Sequence, residues 1–258
     1  MIVSWKKYTA LQQKKRRYEA EKFIVEGVRL CSEAMLSDWE IETGFVTENF
    51  QNSEHWPQFD DTFRHRNILC RTLQPAQFKR IAGTETPQGI LMVIRMPKIS
   101  LERMNMRKAA FVIVLEGIRD PGNLGTLIRT ADWYGANAVI LSDDCVDPYN
   151  AKVLRSSMGS IFHLPVYISQ DLPQDIKRLQ ENHFWVVAAT VNSNKTLRKA
   201  HFKKPVAILL GNEARGLSPE VQRLSDMTVR IWKYGQAESL NVAIAGGVLM
   251  DHIAGEIF

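Results

Sequence analysis

Six short apolar runs recur from Phe111 onward and constrain the fold more than any other feature of this 258-residue sequence. Most are apolar throughout and rich in Val and Ile, which is typical of strands covered by helices on both faces. Helical segments fall between the runs, so the pattern predicts a mostly parallel sheet in a doubly wound α/β domain. The runs are FVIVL (111–115), AVIL (138–141), LPVYI (164–168), FWVVAAT (184–190), VAILLG (206–211) and TVRI (228–231).

The first hundred residues or so alternate short elements and predict a smaller α/β domain. The charged, Met-containing stretch 98–110 is predicted to be a linker. We therefore expect one domain at residues 1–105 and a second at 106–258. The elements predicted in the first domain are helices at 5–20, 28–36 and 75–82 and strands within 22–27, 41–47, 67–70 and 86–97.

Composition excludes several classes of protein. No run of about 18 apolar residues exists, so no membrane-spanning helix is predicted. The amino-terminal residues are too polar for a signal peptide. The three cysteines, Cys31, Cys70 and Cys145, are far apart, odd in number and outside any C-x-x-C, which disfavours disulfides and zinc. These features predict a cytoplasmic protein without a metal.

The net charge of +5 lies entirely in residues 1–108. Residues 1–108 carry 18 Lys and Arg against 13 Asp and Glu, whereas residues 109–258 carry 15 of each. Such a basic face attracts polyanions and gives salt-dependent affinity, although a short basic run is also typical of a solvated helix. The basic residues that are candidates for phosphate contacts are Lys6, Lys7, Lys14, Lys15, Arg16 and Arg17.

Three glycine-containing turns each follow a predicted strand of the second domain. They lie in RDPGNLGTLIRTADWYGA (119–136), VAILLGNEARGLS (206–218) and VRIWKYGQAESLNVAIA (229–245). Because ligands of open α/β sheets bind outside the carboxyl ends of the strands, the three turns are predicted to converge on one site. None is a P-loop or a G-x-G-x-x-G dinucleotide fingerprint. Their polar residues are Asn123, Arg129, Asn212, Glu213, Arg215, Ser239 and Asn241.

Each of these polar residues also has a purely structural interpretation. Asn123 suits a turn or a cap, Ser239 suits a helix N-cap, and Glu213 with Arg215 could form a surface ion pair of little energetic value. The recurrence of Gly, amide and charge after three strands nevertheless favours a common site.

The three segments resemble the signature motifs of the SpoU (TrmH-type) RNA ribose 2′-O-methyltransferases in the SPOUT superfamily. The resemblance covers essentially all of residues 109–258, and KFIVEGVRLCSEAM (22–35) resembles the substrate-binding domain of many members. It implies a SPOUT-type knotted, mostly parallel α/β domain preceded by a smaller α/β substrate-binding domain, with a trefoil knot near the carboxyl end. It also implies a homodimer, S-adenosyl-L-methionine as methyl donor, and RNA as substrate. The ribosomal-protein-like substrate domain favours ribosomal RNA, but transfer RNA stays open because transfer RNA enzymes share the catalytic motifs.

Site residues follow from the same resemblance. The implied catalytic residues are Arg129, Asn123, Glu213, Ser239 and Asn241. A guanidinium stays protonated in nearly all sites, so Arg129 is predicted to bind the target phosphate and polarise the 2′-oxygen rather than act as a general base. The implied cofactor-binding residues are Leu210, Gly211, Asn212, Ile231, Ser239 and Leu240.

Three positions depart from the family pattern. Trp232-Lys233 stands where members often have Pro followed by an aliphatic residue, and Ala243 stands where Ser is common. A catalytically inactive RNA-binding protein of the same fold, acting in ribosome assembly, is therefore the main alternative. A nicotinamide-dependent enzyme is disfavoured because the dinucleotide fingerprint is missing.

Overall fold

The apolar runs form the six-stranded sheet of one of two structural units. The structure is a computed structural model that describes residues 4–101 and 111–258. One unit contains the chain up to Lys98 together with Tyr149–Phe162, and the other contains Ile99–Pro148 and His163–Phe258. The predicted boundary at residues 105 and 106, and most of the predicted linker, lie outside the described residues and stay predictions.

The helices and strands follow one another in chain order. They are α1 (Lys14–Ala20), β1 (Lys22–Glu26), α2 (Val28–Leu36), β2 (Ile41–Val46), α3 (Glu48–Gln51), α4 (Trp56–His65), β3 (Cys70–Thr72), α5 (Pro75–Ile81), β4 (Ile90–Arg95), β5 (Phe111–Leu115), α6 (Pro121–Trp133), β6 (Ala138–Leu141), α7 (Ala151–Ser157), β7 (Val166–Ile168), α8 (Leu172–Glu181), β8 (Trp185–Ala189), β9 (Val206–Leu210), α9 (Pro219–Arg223), β10 (Met227–Val229) and α10 (Val242–Ile257).

The first unit is built on a four-stranded sheet of order β1-β4-β2-β3, in which only β2 and β3 run parallel. The predicted helix at 5–20 is wrong as a single element. A 3-10 helix spans Trp5–Gln12, Gln13 is extended, and α1 follows. Tyr8 and Leu11 are buried in the core, and their spacing of three residues matches the 3-10 repeat.

Two other details of this unit differ from the prediction. The strand expected at 67–70 begins only at Cys70, because Asn67 adopts a left-handed conformation and the Ile68 N–H bonds back to the Phe63 carbonyl at the end of α4. Helix α4 itself was not predicted, although Phe59 and Phe63 are buried one helical turn apart and Pro57 lies at its start. The segment Tyr149–Phe162 packs here through Tyr149 on Phe23 (ring centroids 4.7 Å apart) and Phe162 on Trp39 (5.1 Å).

The sheet of the second unit confirms the predicted parallel architecture. Its order is β10-β8-β9-β5-β6-β7, and every neighbouring pair is parallel. The central strands β5 and β9 are buried along their whole length, as expected for a sheet covered on both faces. From β5 the chain continues to β6 on one side, whereas from β9 it continues to β10 on the other. The carboxyl ends of β5 and β9 therefore form a topological switch point, where open α/β sheets bind ligands.

The last connection of this unit is long and irregular. Strand β10 is an edge strand, yet the N-cap of α10 contacts the start of α6, which follows β5. Residues 231–240, which have no regular secondary structure, make this crossing. Three strand spacings of about 4.8 Å separate β10 from β5, a span of roughly 14 Å that ten residues cover easily.

Helix α10 packs closely on α6 at Gly246, and the adjacent Gly247 does not share this close contact. A Cβ on Gly246 would lie 2.4 Å from Leu127 Cδ2 and 3.2 Å from Leu210 Cδ1, whereas a Cβ on Gly247 would meet only Thr130 Cγ2, at 3.9 Å. Gly246 therefore sets the distance between α10, α6 and the sheet, and Gly247 does not.

We expect opposite effects when each glycine is replaced by alanine. Gly247→Ala should raise the free energy of unfolding by about 0.5–1 kcal/mol, because alanine is the better helix former. Gly246→Ala should lower it by about 1–2 kcal/mol, because overpacking costs about 1–3 kcal/mol and outweighs the same gain. Urea unfolding of both variants measures the difference, and equal changes would contradict the packing argument.

Candidate active site

The three glycine turns meet at the side chain of Asn123, as the sequence predicts. Asn123 Nδ2 donates to Glu213 Oε1 at 2.5 Å, and Asn241 Nδ2 donates to Asn123 Oδ1 at 3.0 Å. Asn123 lies in the first turn of α6, which follows β5. Glu213 follows β9, and Asn241 is the N-cap of α10, after β10. Glu213 is 90 residues and Asn241 is 118 residues from Asn123 in the sequence, so only the fold brings them together.

The direction of these hydrogen bonds is determined by chemistry. An ionised carboxylate only accepts, so Glu213 requires the amide nitrogen of Asn123. The oxygen of Asn123 then faces Asn241 and requires its amide nitrogen. The oxygen of Asn241 is left to accept from the backbone N–H groups of Ala243 (2.9 Å) and Ile244 (3.3 Å), which caps α10. One oriented chain thus runs from Glu213 to the start of α10.

The first loop is positioned by Asp120 and Gly117. The Asp120 side chain caps α6 by accepting from the Asn123 N–H at 2.8 Å, and Pro121 occupies the first turn, where proline suits a helix. Gly117 has a φ of +66° and donates its N–H to Ser142 Oγ at 2.9 Å. The roles of Gly117 and Ser142 were missed by sequence reasoning, since neither has a local signal. The D-P pair before the helix could have identified Asp120.

The second loop is a tight turn held by Asn212. Its Nδ2 donates to the Gly117 carbonyl at 2.8 Å, and its Oδ1 accepts from the N–H groups of Ala214 and Arg215. Asn212 and Gly216 also exchange two backbone hydrogen bonds of 3.1 and 2.8 Å. A Cβ on Gly211 would lie 2.2 Å from the Gly216 carbonyl carbon, so the turn closes only around glycine.

The remaining predicted residues differ in burial and in contacts. Arg129 projects from α6 and is exposed, and within the described residues its guanidinium makes no hydrogen bond or ion pair. Ser239 and Leu240 are exposed beside Asn241, and Ile231 is partly buried. Leu210 is buried, and its carbonyl already accepts from the Glu116 N–H at 2.9 Å. Glu213 pairs with Asn123 and not with Arg215, so the surface ion pair considered for it does not form.

The third loop offers unpaired backbone groups to a ligand. Within the described residues, no backbone N–H of residues 231–240 donates to another protein atom. Polar backbone groups require a partner when they are covered, so this segment suits a small polar molecule bound through main-chain contacts. The observation fits the implied use of backbone near Ile231 and Leu240 for the cofactor. In the described parts of the chain, no group of three or more His, Cys, Asp or Glu could hold a metal ion.

Most of the candidate phosphate-binding residues are exposed, with one exception. Lys6, Lys7, Lys14, Lys15 and Arg16 face solvent. Lys7 pairs with Glu42 at 3.6 Å, while Lys15 and Arg16 share Glu19. Arg17 is 5% exposed and donates from Nη1 to the Leu11 and Gln12 carbonyls, both at 2.9 Å. Its burial gives it a structural role, since it joins α1 to the end of the preceding 3-10 helix.

Comparison with known proteins defines the family. The model of the SpoU rRNA Methylase family matches residues 110–251, and that of the MRM3-like substrate binding domain matches residues 4–92. The chain therefore belongs to the SpoU methylase family. The predicted fold class, a SPOUT-type parallel α/β domain preceded by a smaller α/β domain, is confirmed.

Three similar proteins span nearly the same length. The chain is 35% identical over 98% of its length to the 23S rRNA (guanosine(2553)-2′-O)-methyltransferase RlmP of Bacillus subtilis, covering 96% of that protein. It is 29% identical to a 23S rRNA (uridine(2479)-2′-O)-methyltransferase of Streptomyces viridochromogenes, over 93% of this chain and 85% of that one. The crystal structure of an AdoMet-bound rRNA methyltransferase from Sinorhizobium meliloti superposes with a TM-score of 0.87 at 30% identity, covering 100% of this chain and 98% of that one.

Two substitutions of Asn241 separate its cap from its contact with Asn123. Asn241→Asp keeps the capping oxygen, so the free energy of unfolding should stay within about 0.5 kcal/mol of the wild type. It removes the amide donor to Asn123, and methyl transfer should fall about tenfold or more. Asn241→Ala removes both the capping oxygen and the amide donor. It should therefore also lower the free energy of unfolding by about 1 kcal/mol. Urea unfolding and transfer rates test this, and full activity of Asn241→Asp would contradict it.

Proposed function

We propose that this chain transfers a methyl group from S-adenosyl-L-methionine to a ribose 2′-hydroxyl of 23S rRNA. Membership of the family makes it an RNA 2′-O-ribose methyltransferase that uses this cofactor. The substrate is supported by two similar proteins whose names specify 23S rRNA. Because those names specify different nucleotides, we propose 23S rRNA as the substrate and no particular nucleotide as the target.

The observation that carries the proposal is the hydrogen-bond chain from Glu213 through Asn123 to Asn241. It orients the three motif loops at the switch point between β5 and β9, and each member is the residue type that the family motifs require. An RNA-binding protein that had lost transfer would not need this pattern. The intact chain of bonds therefore favours the enzyme over the inactive alternative.

The roles of the site residues follow from their placement. S-adenosyl-L-methionine, when bound, supplies an electrophilic methyl group on a positively charged sulfur that is a good leaving group. Asn123 and Glu213 hold the loops in register, which positions the ribose oxygen in line with the methyl group. Arg129, exposed and without a partner among the described residues, is available to bind the target phosphate and polarise the 2′-oxygen. Ser239 lies two residues before Asn241 and is also proposed as a catalytic residue.

Two further proposals concern assembly and location. The contacting helices α6 and α10 expose large apolar side chains, with Trp133 84%, Ile244 58% and Val248 41% exposed. Such a surface supports the predicted homodimer, since a second copy would cover it. No helix in the described parts of the chain could cross a membrane. An rRNA substrate supports a location in the cytoplasm.

Replacing Arg129 tests the proposed mechanism. Arg129→Ala should lower transfer by about 10²–10³-fold, because a positioned cation near the developing charge is lost. Cofactor affinity should change little. The assay is transfer of labelled methyl from S-adenosyl-L-methionine to in vitro transcripts of 23S rRNA and of transfer RNA, read as an alkali-resistant dinucleotide.

Arg223→Ala is the control for this experiment, since Arg223 is an exposed arginine of α9 outside the site. Loss of both transfer and cofactor binding in Arg129→Ala would mean a structural role for Arg129. Transfer to transfer RNA alone would overturn the proposed substrate. Binding of RNA without transfer to either transcript would favour the inactive alternative.

The basic amino-terminal segment should supply part of the salt dependence of RNA binding. Deleting residues 1–20 would remove Tyr8 and Leu11 from the core, so substitutions are the better test. The triple change Lys6→Gln, Lys14→Gln and Lys15→Gln should flatten the plot of log affinity against log salt by about 0.7–0.9 for each lost phosphate contact. Lys177→Gln, on α8, should leave the slope unchanged. An unaltered slope in the triple variant would contradict a phosphate-binding role.

A further inference from the structure

Two aromatic rings stand exposed where the sequence departs from the family motif. Trp232 is 47% exposed and Tyr234 is 78% exposed, both in the irregular segment after β10. Their ring centroids are 6.4 Å apart with planes at 72°, so the rings meet edge to face. We call Trp232 and Tyr234 the aromatic pair.

Two arginines contact the aromatic pair. The Arg230 guanidinium carbon lies 5.0 Å from the centre of the Trp232 ring, and Arg198 Nη1 donates to Tyr234 Oη at 3.2 Å. The backbone of Arg230 donates to the Lys195 carbonyl (2.9 Å) and accepts from the Leu197 N–H (2.8 Å). The segment Lys195–Lys199 is thereby attached to the strand that leads into the aromatic pair.

This attachment gathers positive charge around the rings. We call this set the basic rim: Lys195, Arg198, Lys199, Arg230 and Lys233. In the part of the chain that the structure describes, no member of the basic rim forms an ion pair. The only acidic residue within 192–200 and 229–241 is Glu238. With five basic residues and one acidic residue, these two segments carry a net charge of +4.

Exposed aromatic faces among unpaired cations match the chemistry of single-stranded RNA. Every base has a face that stacks on an aromatic ring, and each linking phosphate carries a negative charge. Sequence-specific proteins recognise RNA mainly through unpaired bases that are turned out and stacked in this way. A purely apolar partner would gain nothing from the basic rim.

We propose that the aromatic pair stacks an unpaired base of the substrate RNA close to the modified ribose, and that the basic rim holds the adjoining phosphates. This inference rests on the proposed function and adds a substrate-positioning surface to it. Asn241 lies seven positions after Tyr234, a reach of at most about 25 Å, so the stacked nucleotide lies within a few nucleotides of the target.

Substitutions that keep or remove a flat ring test the inference. Trp232→Leu and Tyr234→Leu should each raise the KM for the 23S rRNA transcript and weaken its binding by roughly 5- to 150-fold, the range for loss of one stacked base. Trp232→Phe and Tyr234→Phe keep a stacking face and should recover most of that loss. The third loop offers a cofactor its main-chain groups, which these side-chain substitutions keep, so the affinity for S-adenosyl-L-methionine alone should be the same in all four variants. Because Tyr234 is so exposed, its variants keep the test valid if Trp232→Leu fails to fold.

The outcomes separate the two proposals. Equal RNA affinity in the Leu and Phe variants, with normal transfer, would overturn the stacking role and leave the methyltransferase proposal intact. A loss confined to cofactor affinity would assign the rings to the cofactor pocket and also overturn the inference. The wild type could bind RNA but transfer no methyl group, while the Leu variants bind RNA more weakly. That result would support the stacking surface and count against the proposed function.

Discussion

The hydrogen bonds of Asn123 are the constraint on which the site depends. The Glu213 carboxylate accepts a hydrogen bond from the amide nitrogen of Asn123, which leaves the Asn123 oxygen facing the amide nitrogen of Asn241. The oxygen of Asn241 then caps α10. Because the three residues follow β5, β9 and β10, this one chain of bonds couples the ends of three strands and the last helix. A change in charge or amide orientation at any member therefore reaches all the others.

Close backbone approaches make this junction possible. Gly211 allows the loop after β9 to fold back on Gly216, and Gly117 adopts a left-handed conformation beside Asn212. Gly246 lets α10 lie against Leu127 and Leu210, directly beneath the site. These glycines determine distances between elements rather than local flexibility. The chemistry of the site thus rests on packing that a single methyl group would disturb.

In the proposed function, both units contact the RNA. The first unit presents exposed lysines around α1, whereas Arg17, in the same basic run, is used to hold its own backbone. The second unit adds the aromatic pair and the basic rim next to the catalytic loops. Phosphate contacts position an RNA without reading its sequence, so the stacking surface is the better candidate for selectivity.

The sequence by itself determined the parallel α/β architecture and the three motif loops, because each has a local pattern. Apolar runs give β5 and β9, and glycine beside amide marks the turns after them. Only the tertiary structure decided which side chains meet, since the Asn123–Asn241 bond joins residues 118 positions apart. It also decided that Arg17 is buried and that Trp232 and Tyr234 are exposed on a basic surface. Burial and long-range pairing depend on how elements pack, and no local pattern of residue types encodes that.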